Sequence, residues 1–199
     1  VGLYALPYGV ALNVRVNQAD RLVPMVVEEP SVIAAVSNAA GMVRASGGFH
    51  AEALESLMIG QVQLYGVPNA EAALSHLREA RGELLEMATQ AAPGLIPYGG
   101  GPRGIEVRDL GQGMMVVHVL VDCRDAMGAN MVNSIAEAIG PRVAELTGGR
   151  LGLRILSNLC DRRRVRVTGR VAVDDLLGRP LATRHRGIDV AEAIEQASR

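Results

Sequence analysis

Apolar and polar residues alternate through residues 10–16, which is the pattern of a strand with one buried face. The turn-forming residues Asn-Gln-Ala-Asp follow at positions 17–20, and residues 22–27 form a second extended run. We therefore predict a β-hairpin at the start of the sequence. Apolar residues then recur at helical spacing over residues 32–43, and Pro30 suits the first helical position. The pattern predicts a helix directly after the hairpin.

The middle of the chain shows four strand patterns and two helix patterns. The predicted strands cover residues 61–67, 105–110, 114–121 and 151–156. One predicted helix opens after Asn69, and the other begins near Met127 and carries Gly140-Pro141, which should kink or split it. Residues 91–102 are rich in Gly and Pro and predict a loop. The order strand, helix, strand, strand, helix, strand is that of the ferredoxin-like (βαββαβ) unit, an antiparallel sheet with both helices on one face.

The segments on either side of this unit are predicted to belong to another domain. Residues 1–56 do not close a core by themselves. Residues 161–199 contain a further alternating strand at 162–167 and a helix that begins at Asp189. We predict an α+β fold in which a ferredoxin-like domain, residues 57–160, is inserted into a larger α/β domain that is incomplete here.

Three consecutive arginines, Arg162, Arg163 and Arg164, lie in the alternating strand that follows the predicted unit. They fit a phosphate-binding patch, but the pattern favours the solvated face of a strand. The sequence leaves both interpretations open.

A run at residues 125–130, Asp-Ala-Met-Gly-Ala-Asn, stands between a predicted strand and the helix that follows it. Where a strand feeds a helix through a sharp turn, unpaired backbone N–H groups and the helix dipole form a seat for phosphate. Gly128 lets a ligand approach the backbone, and Asn130 and Asn133 lie on one face of the helix. An ordinary capped helix with two solvated amides fits the same residues. No Gly-x-Gly-x-x-Gly run follows the first strand of the unit, so a doubly wound nucleotide-binding fold is not predicted.

The composition narrows the classes of partner. The chain has 199 residues, a net charge of −1 and a pI near 6.5, so no general attraction to nucleic acid or to an anionic membrane is expected. No apolar stretch approaches the roughly 20 residues that cross a bilayer, and we expect a cytoplasmic protein. Cys123 and Cys160 lack metal-type spacing, so reduced thiols and no metal are predicted. All 20 basic residues are arginine.

Several stretches resemble one family, the bacterial, class II hydroxymethylglutaryl-CoA reductases. Residues 26–35, VVEEPSVIAA, resemble the family's substrate-side signature, and residues 122–130, DCRDAMGAN, resemble its cofactor signature. Residues 99–101, GGG, and 154–159, RILSNL, are also similar to that family. The resemblance covers nearly the whole chain in the same order.

This resemblance implies a fold and a reaction. It implies a four-electron reduction of hydroxymethylglutaryl-CoA to mevalonate and free CoA, or the reverse, by two hydride transfers with NADH or NADPH. It implies a small ferredoxin-like cofactor domain inserted into a larger substrate domain, as the element order also predicts. It further implies a homodimer or an assembly of dimers with active sites between subunits.

The resemblance assigns the catalytic acid to Glu29, directly before Pro30. Reduction of a thioester and then of an aldehyde needs a proton for the developing alkoxide, and a general acid contributes roughly 10²- to 10⁴-fold. Glu28 is the neighbouring alternative, and two glutamates at a helix start are also favoured by the helix dipole alone. Ser31 matches a substrate-binding position, and it has an equally ordinary explanation as a serine at a helix start.

The resemblance also assigns cofactor-binding residues. They are Asp125, Met127, Gly128, Asn130 and Asn158, with Asn133 as a weaker assignment. Members of the family that prefer NAD tend to carry an acid near the end of the first helix of the small domain. Residues 88–93 here contain no acid, so the choice between NAD and NADP stays open.

The sequence departs from the family in one respect. The family also uses a lysine, an aspartate and a C-terminal histidine, and this chain has no lysine. His185 lies too early and in too polar a stretch to be that histidine. We therefore expect the chain to be a piece of the enzyme that stops before those catalytic segments. The alternative is a non-catalytic ferredoxin-like module that binds a nucleotide or another small molecule.

Overall fold

The computed structural model describes residues 1–177 and 186–199, and His185 lies outside the described residues. The chain divides into two compact units. The split unit consists of Val1–Glu52 and Val165–Arg199, and the continuous unit consists of Ala53–Arg164.

The split unit begins with the predicted hairpin and helix. Strands β1 (Tyr8–Val16) and β2 (Ala19–Val26) pair antiparallel, and helix α1 covers Ser31–Ala45. The prediction of a hairpin followed by a helix is therefore confirmed. Pro30 stands at the N-cap of α1, one position earlier than predicted. Ala40 is among the α1 residues that are buried.

An ion-pair network ties the hairpin to α1. The Asp20 carboxylate accepts from Arg15 at 2.9 Å and from Arg44 at 2.7 Å. Hydrogen bonds from Arg44 and then Arg15 hold the pKa of Asp20 well below its usual range. Because the Asp20 carboxylate is exposed and both arginine side chains are partly exposed, the network fixes the position of the helix more than it stabilises the unit.

The continuous unit contains most of one long strand and alternates between strands and helices. Its elements are β3 (His50–Tyr65), α2 (Ala70–Glu79), α3 (Arg81–Ala91), β4 (Gly101–Gly111), β5 (Met114–Asp122), α4 (Ala129–Thr147) and β6 (Arg150–Leu156). The strands are ordered β4-β5-β3-β6, and each neighbouring pair is antiparallel. The mixed helix and strand architecture predicted for the chain is confirmed.

The core of the continuous unit lies between one face of this sheet and the helices. Alternate residues of β5, Met115, Val117, Val119 and Val121, are fully buried. They belong to one apolar cluster that also contains Leu77 of α2, Leu84 of α3 and the residues of α4 that lie on one stripe, Val132, Ile135, Ile139 and Val143. This arrangement follows from the period of two in the strand and of 3.6 in the helices.

The remaining elements follow β6. Strand β7 covers Arg163–Thr168, a short 3₁₀ helix covers Val173–Leu176, and helix α5 covers Gly187–Ala197. The predicted strand is confirmed, and the final helix begins two residues earlier than predicted. Its start is fixed by Asp189, whose carboxylate accepts from the backbone N–H of Arg186 at 3.1 Å.

Three element predictions for the middle of the chain were wrong. Strand β3 starts at His50, eleven residues before the predicted start at residue 61. The helix predicted after Asn69 is divided at Ala80 into α2 and α3. The predicted loop at residues 91–102 contains a 3₁₀ helix, Pro93–Tyr98. Strand β3 also pairs with β7, so pairing with a distant segment, which the local pattern does not show, accounts for its extra length.

Helix α4 was predicted to be kinked or split at Gly140-Pro141, and it is not split. It runs over 19 residues, Ala129–Thr147. A proline inside a helix costs about 3 kcal/mol. The buried stripe continues on both sides of the pair, with Ile139 before it and Val143 after it, so burial of apolar surface outweighs that cost.

A buried histidine lies on the opposite face of the sheet from the core. His118 of β5 stands opposite Gln61 of β3 and Glu106 of β4. Successive side chains of a strand point to opposite faces of the sheet. Because the neighbouring Val117 points into the core, the His118 side chain points away from the helices. The imidazole is 7% exposed, and among the described residues its Nδ1 has no hydrogen-bond partner.

The surroundings of His118 favour its neutral form. Burial lowers the pKa of this histidine from 6.5, and the positive charge of Arg108 lowers it further. The charges of Glu106 and Asp161 act in the opposite direction but do not compensate, and Arg162 adds to the lowering. The folded chain therefore takes up this proton at a lower pH than the unfolded chain does.

We predict that His118 makes the continuous unit less stable in mild acid. As the pH falls below 6.5, the ordinary pKa of histidine, the unfolded state binds the proton first, so the free energy of unfolding decreases. His118→Leu should flatten this dependence, measured by denaturant unfolding over a pH series. The control is His50→Gln, which changes an exposed histidine. Parallel pH profiles for the parent and His118→Leu would contradict the prediction.

No helix in the described ranges, 1–177 and 186–199, has the length and apolar character needed to cross a membrane.

Candidate functional site

A tight turn joins β5 to α4 in the continuous unit. The backbone N–H of Ala126 donates to the carbonyl oxygen of Cys123 at 3.1 Å. Arg124 adopts a φ of +53°, a conformation that costs a non-glycine residue roughly 1–2 kcal/mol. Its backbone N–H donates to Asp122 Oδ1 at 2.9 Å, which holds it in place.

Gly128 ends this turn and precedes the first residue of α4. Its φ is +88°, and a Cβ at this position would lie 2.7 Å from the Cβ of Cys123. The Cys123 side chain is 1% exposed, and burial raises the pKa of its thiol. The turn therefore closes on an uncharged thiol, at a position where only glycine fits.

The start of α4 leaves backbone donors without a partner inside the helix. The first helical N–H to find a carbonyl is that of Val132, which donates to Gly128 at 3.0 Å. Within the described part of the chain, no side chain caps this end, and the first turn carries no acidic residue. The N–H groups of Ala129, Asn130 and Met131 thus face outward at the positive end of the helix dipole, which suits an anion such as phosphate.

A cavity of about 480 Å³ opens beside the turn. Its lining combines the turn, the 3₁₀ helix and α4, through Gly94, Leu95, Tyr98, Cys123, Arg124, Asp125, Ala126 and Met131. This volume is within the range of roughly 300–1,000 Å³ that small-molecule sites occupy. The lining residues Gly94 and Leu95 come directly after residues 88–93, the segment that contains no acidic residue. The aromatic ring of Tyr98 forms part of the cavity wall.

Two arginines bind the backbone around this cavity. Arg103 donates to the carbonyl oxygen of Gly99, in the glycine-rich loop, and to Asp122 Oδ2 at 3.2 Å. Arg163 donates to the carbonyl oxygens of Arg124 and Ala126, each at 3.0 Å. The sequence analysis missed both contacts. Arg103 follows the glycine run and Arg163 lies in the arginine cluster, and neither position indicates what the side chain binds.

The carboxylate of Asp122 is ionised under most conditions. Partial burial acts to raise the pKa of Asp122, but hydrogen bonds from the Arg124 backbone and from the Arg103 and Arg124 guanidinium groups outweigh it and lower that pKa. The charged carboxylate of Asp122 therefore binds Arg103, which joins the end of β5 to the glycine-rich loop at residues 99–101.

The sequence left two interpretations of the arginine cluster at residues 162–164, a phosphate-binding patch and a solvated strand face. The first two arginines fit neither, because each binds another part of the chain. Arg162 pairs with Glu106 at 2.9 Å, and Arg163 binds the turn. Only Arg164, the third, is exposed on the strand.

Four of the predicted cofactor residues are brought together by the turn. Asp125 lines the cavity, Met127 is 69% exposed, Gly128 forms the bend, and Asn130 is exposed on the first turn of α4. Asn158 is exposed two residues beyond the end of β6.

Asn133 has a structural contact of its own. Its Oδ1 accepts from the backbone N–H of Leu156 at 2.8 Å, which joins α4 to β6. The side chain is partly buried, and its NH₂ group is the part left for a ligand.

The predicted catalytic and substrate residues lie in the split unit. Glu29 and Ser31 stand where β2 leads into α1, and both are exposed. The Ser31 hydroxyl donates to Glu29 Oε1, and the backbone N–H of Val32 donates to the Glu29 carbonyl oxygen at 3.2 Å. The helix start therefore fixes the backbone of Glu29, and the serine orients its carboxyl group. Glu28 is exposed as well.

Comparison with known proteins gives consistent matches. The sequence model described as hydroxymethylglutaryl-coenzyme A reductase matches residues 1–199. The 3-hydroxy-3-methylglutaryl-coenzyme A reductase of Archaeoglobus fulgidus is 45% identical over 169 residues, which are 83% of this chain and 39% of that protein. A probable 3-hydroxy-3-methylglutaryl-coenzyme A reductase of Borreliella burgdorferi is 29% identical over 160 residues, 79% of this chain and 36% of that protein.

A solved structure matches the whole chain. The class II 3-hydroxy-3-methylglutaryl-CoA reductase of Streptococcus pneumoniae, bound to NADPH in open conformations, superposes with a TM-score of 0.90 and 40% sequence identity. The match covers 100% of this chain and 53% of that protein. The chain thus spans about two-fifths of the length of the curated relatives and about half of the solved structure.

We predict that Gly128→Ala destabilises the continuous unit. The added methyl group meets Cys123 and the backbone must keep a positive φ, so the free energy of unfolding should fall by about 2–5 kcal/mol. Denaturant unfolding measures this. The matched control is Gly82→Ala in α3, where nothing lies within 4 Å of the new Cβ and the change should be neutral or stabilising by up to about 1 kcal/mol. Equal stability of Gly128→Ala and the parent would refute the contact.

Proposed function

This chain belongs to the hydroxymethylglutaryl-coenzyme A reductase family, and on that premise we propose that the complete protein interconverts hydroxymethylglutaryl-CoA with mevalonate and CoA. The reaction uses two hydride transfers with NADH or NADPH. The observation that carries the proposal is the match of the family model along residues 1–199, which includes the turn at Gly128 and the Glu29 helix start. The NADPH bound by the Streptococcus pneumoniae protein supports the cofactor class.

We propose that the continuous unit is a ferredoxin-like cofactor domain, residues 57–160. The strand order β4-β5-β3-β6 and the packing of α2, α3 and α4 in one core support this. Residues 1–56 and 161–199 are then parts of a larger substrate domain into which the cofactor domain is inserted. The division of the chain into a continuous and a split unit supports the insertion.

The turn before α4 is the proposed seat of the dinucleotide. The unpaired N–H groups at the helix start suit its pyrophosphate, and the cavity beside Tyr98 offers room for the remainder. Asp125, Met127, Gly128 and Asn130 are the proposed contacts in the turn. Asn158 and the NH₂ group of Asn133 are proposed to contact the cofactor from the β6 side.

Glu29 is the proposed general acid and Ser31 the proposed substrate-binding residue. When bound, the nicotinamide cofactor would supply one hydride to the thioester carbonyl carbon. The C–S bond then breaks, CoA leaves as its thiol, and a second hydride would reduce the resulting aldehyde carbon. At each reduction the oxygen gains negative charge, and a carboxyl group at the helix start can donate a proton to it. The Ser31 hydroxyl, which donates to Glu29 in this structure, can turn to donate to substrate instead.

We further propose a homodimer or an assembly of dimers, with active sites between subunits, in the cytoplasm. Family membership supports the assembly. The two cysteines, Cys123 and Cys160, are both free thiols, which supports a reducing compartment. A non-catalytic nucleotide-binding module is the second candidate, and the reductase names of the relatives reported above favour the enzyme.

The activity is tested on the complete protein, because this chain spans about half of the solved relative. We expect oxidation of NADH or NADPH, followed by absorbance, only when hydroxymethylglutaryl-CoA is present, with two cofactors consumed for each thioester. Cofactor binding without any thioester-dependent oxidation would favour the non-catalytic module.

The role of Glu29 is tested by Glu29→Gln. We expect kcat to fall by about 10²- to 10⁴-fold, while the KM for the CoA thioester changes little, because the amide keeps the shape of the side chain but has no acidic proton. Glu28→Gln is the matched control and should retain near-parental kcat. If Glu28→Gln carries the loss and Glu29→Gln does not, the acid is Glu28.

A further inference from the structure

Arg163 binds the backbone of the cofactor turn rather than a carboxylate. One guanidinium nitrogen donates to the carbonyl oxygen of Ala126 at 3.0 Å and lies 3.5 Å from that of Met127. The other donates to the carbonyl oxygen of Arg124 at 3.0 Å. The side chain is partly buried, and it reaches the turn from the first residue of β7.

These contacts set the direction of the peptide groups in the turn. In a trans peptide the C=O and the following N–H point in opposite directions. Carbonyls of Arg124 and Ala126 that point at Arg163 therefore turn the N–H groups of Asp125 and Met127 away from it. The turn thus has two sides. Its carbonyl groups face the guanidinium group of Arg163, and the N–H groups of Asp125 and Met127 face the opposite side.

The contact also counteracts local strain. Arg124 holds a positive φ, and its own carbonyl is one of those that Arg163 binds. Without that hydrogen bond, the turn can relax toward conformations that a non-glycine residue prefers, and the orientation of its N–H groups is lost.

We propose that Arg163 is a positioning residue for the dinucleotide cofactor: it holds the turn at residues 124–127 so that backbone N–H groups face the pyrophosphate. This inference rests on the proposed function of that turn. Arg163 acts through the backbone and does not itself contact substrate or cofactor.

The planar fork of arginine is essential to this role. Two nitrogens of one guanidinium reach carbonyls two residues apart, whereas a lysine ammonium is a compact point charge on a flexible stem. Lysine at this position keeps the charge but not the paired contacts. The two effects can therefore be separated by substitution.

The test compares Arg163→Met and Arg163→Lys with the parent in the complete protein. We expect the KM for NADH and for NADPH to rise about 10- to 30-fold in Arg163→Met, the change expected if the free protein then holds the binding-competent turn only about 3–10% of the time. The inhibition constant of ADP-ribose, which shares the pyrophosphate, should rise in parallel. The kcat at saturating cofactor and the KM for hydroxymethylglutaryl-CoA should stay within about threefold, since the turn acts through cofactor affinity. Arg163→Lys should recover only part of the affinity.

The matched control is Arg164→Met, which removes the next arginine of the same strand, an exposed one. It should leave all constants near parental values. Cofactor KM values within about twofold of the parent in Arg163→Met, or an equal loss in kcat and in both KM values, would overturn the inference. If Arg163→Met does not fold, Arg163→Lys decides by the same criteria. A parent protein that binds neither cofactor nor ADP-ribose would instead overturn the proposed function itself.

Discussion

The geometry of the proposed cofactor site depends on one close contact, between Gly128 and the buried side chain of Cys123. Strand β5 ends and helix α4 begins within a few residues of each other. The short turn between them is possible because Gly128 accepts a positive φ and has no Cβ that would clash with Cys123. The uncharged thiol below it adds no repulsion toward an anion. The contact fixes where α4 begins, and with it the position of the free N–H groups at the helix start, beside the cavity that Cys123 helps to line.

Arginine performs several different tasks around this turn. Arg103 joins the glycine-rich loop to Asp122, Arg162 pairs with Glu106, and Arg163 binds backbone carbonyls. Exposed ion pairs contribute little to stability, so the value of these contacts is geometric. A chain whose 20 basic residues are all arginine has the fork-shaped donor needed to hold two acceptors at once.

Local pattern predicted elements well where a residue's neighbours along the chain decide its conformation. The hairpin of β1 and β2 and the two strands β4 and β5 were predicted because alternation of apolar and polar residues is a local signal. The continuity of α4 through Pro141 and the extra length of β3 were not, since packing against other elements decides both. In α4, burial of the apolar side chains on both sides of Pro141 outweighs the tendency of proline to break a helix.

The sequence by itself determined the order of the elements, the turn at Gly128, the candidate acid before Pro30 and the family resemblance, because each is written in residues adjacent along the chain. Only the tertiary structure decided what the polar side chains contact. Asn133 gives its oxygen to a backbone group 23 residues away, and Arg163 reaches a turn 37 residues before it. Such pairings have no local pattern, since they exist only after the sheet and helices have packed and brought distant segments within hydrogen-bond distance.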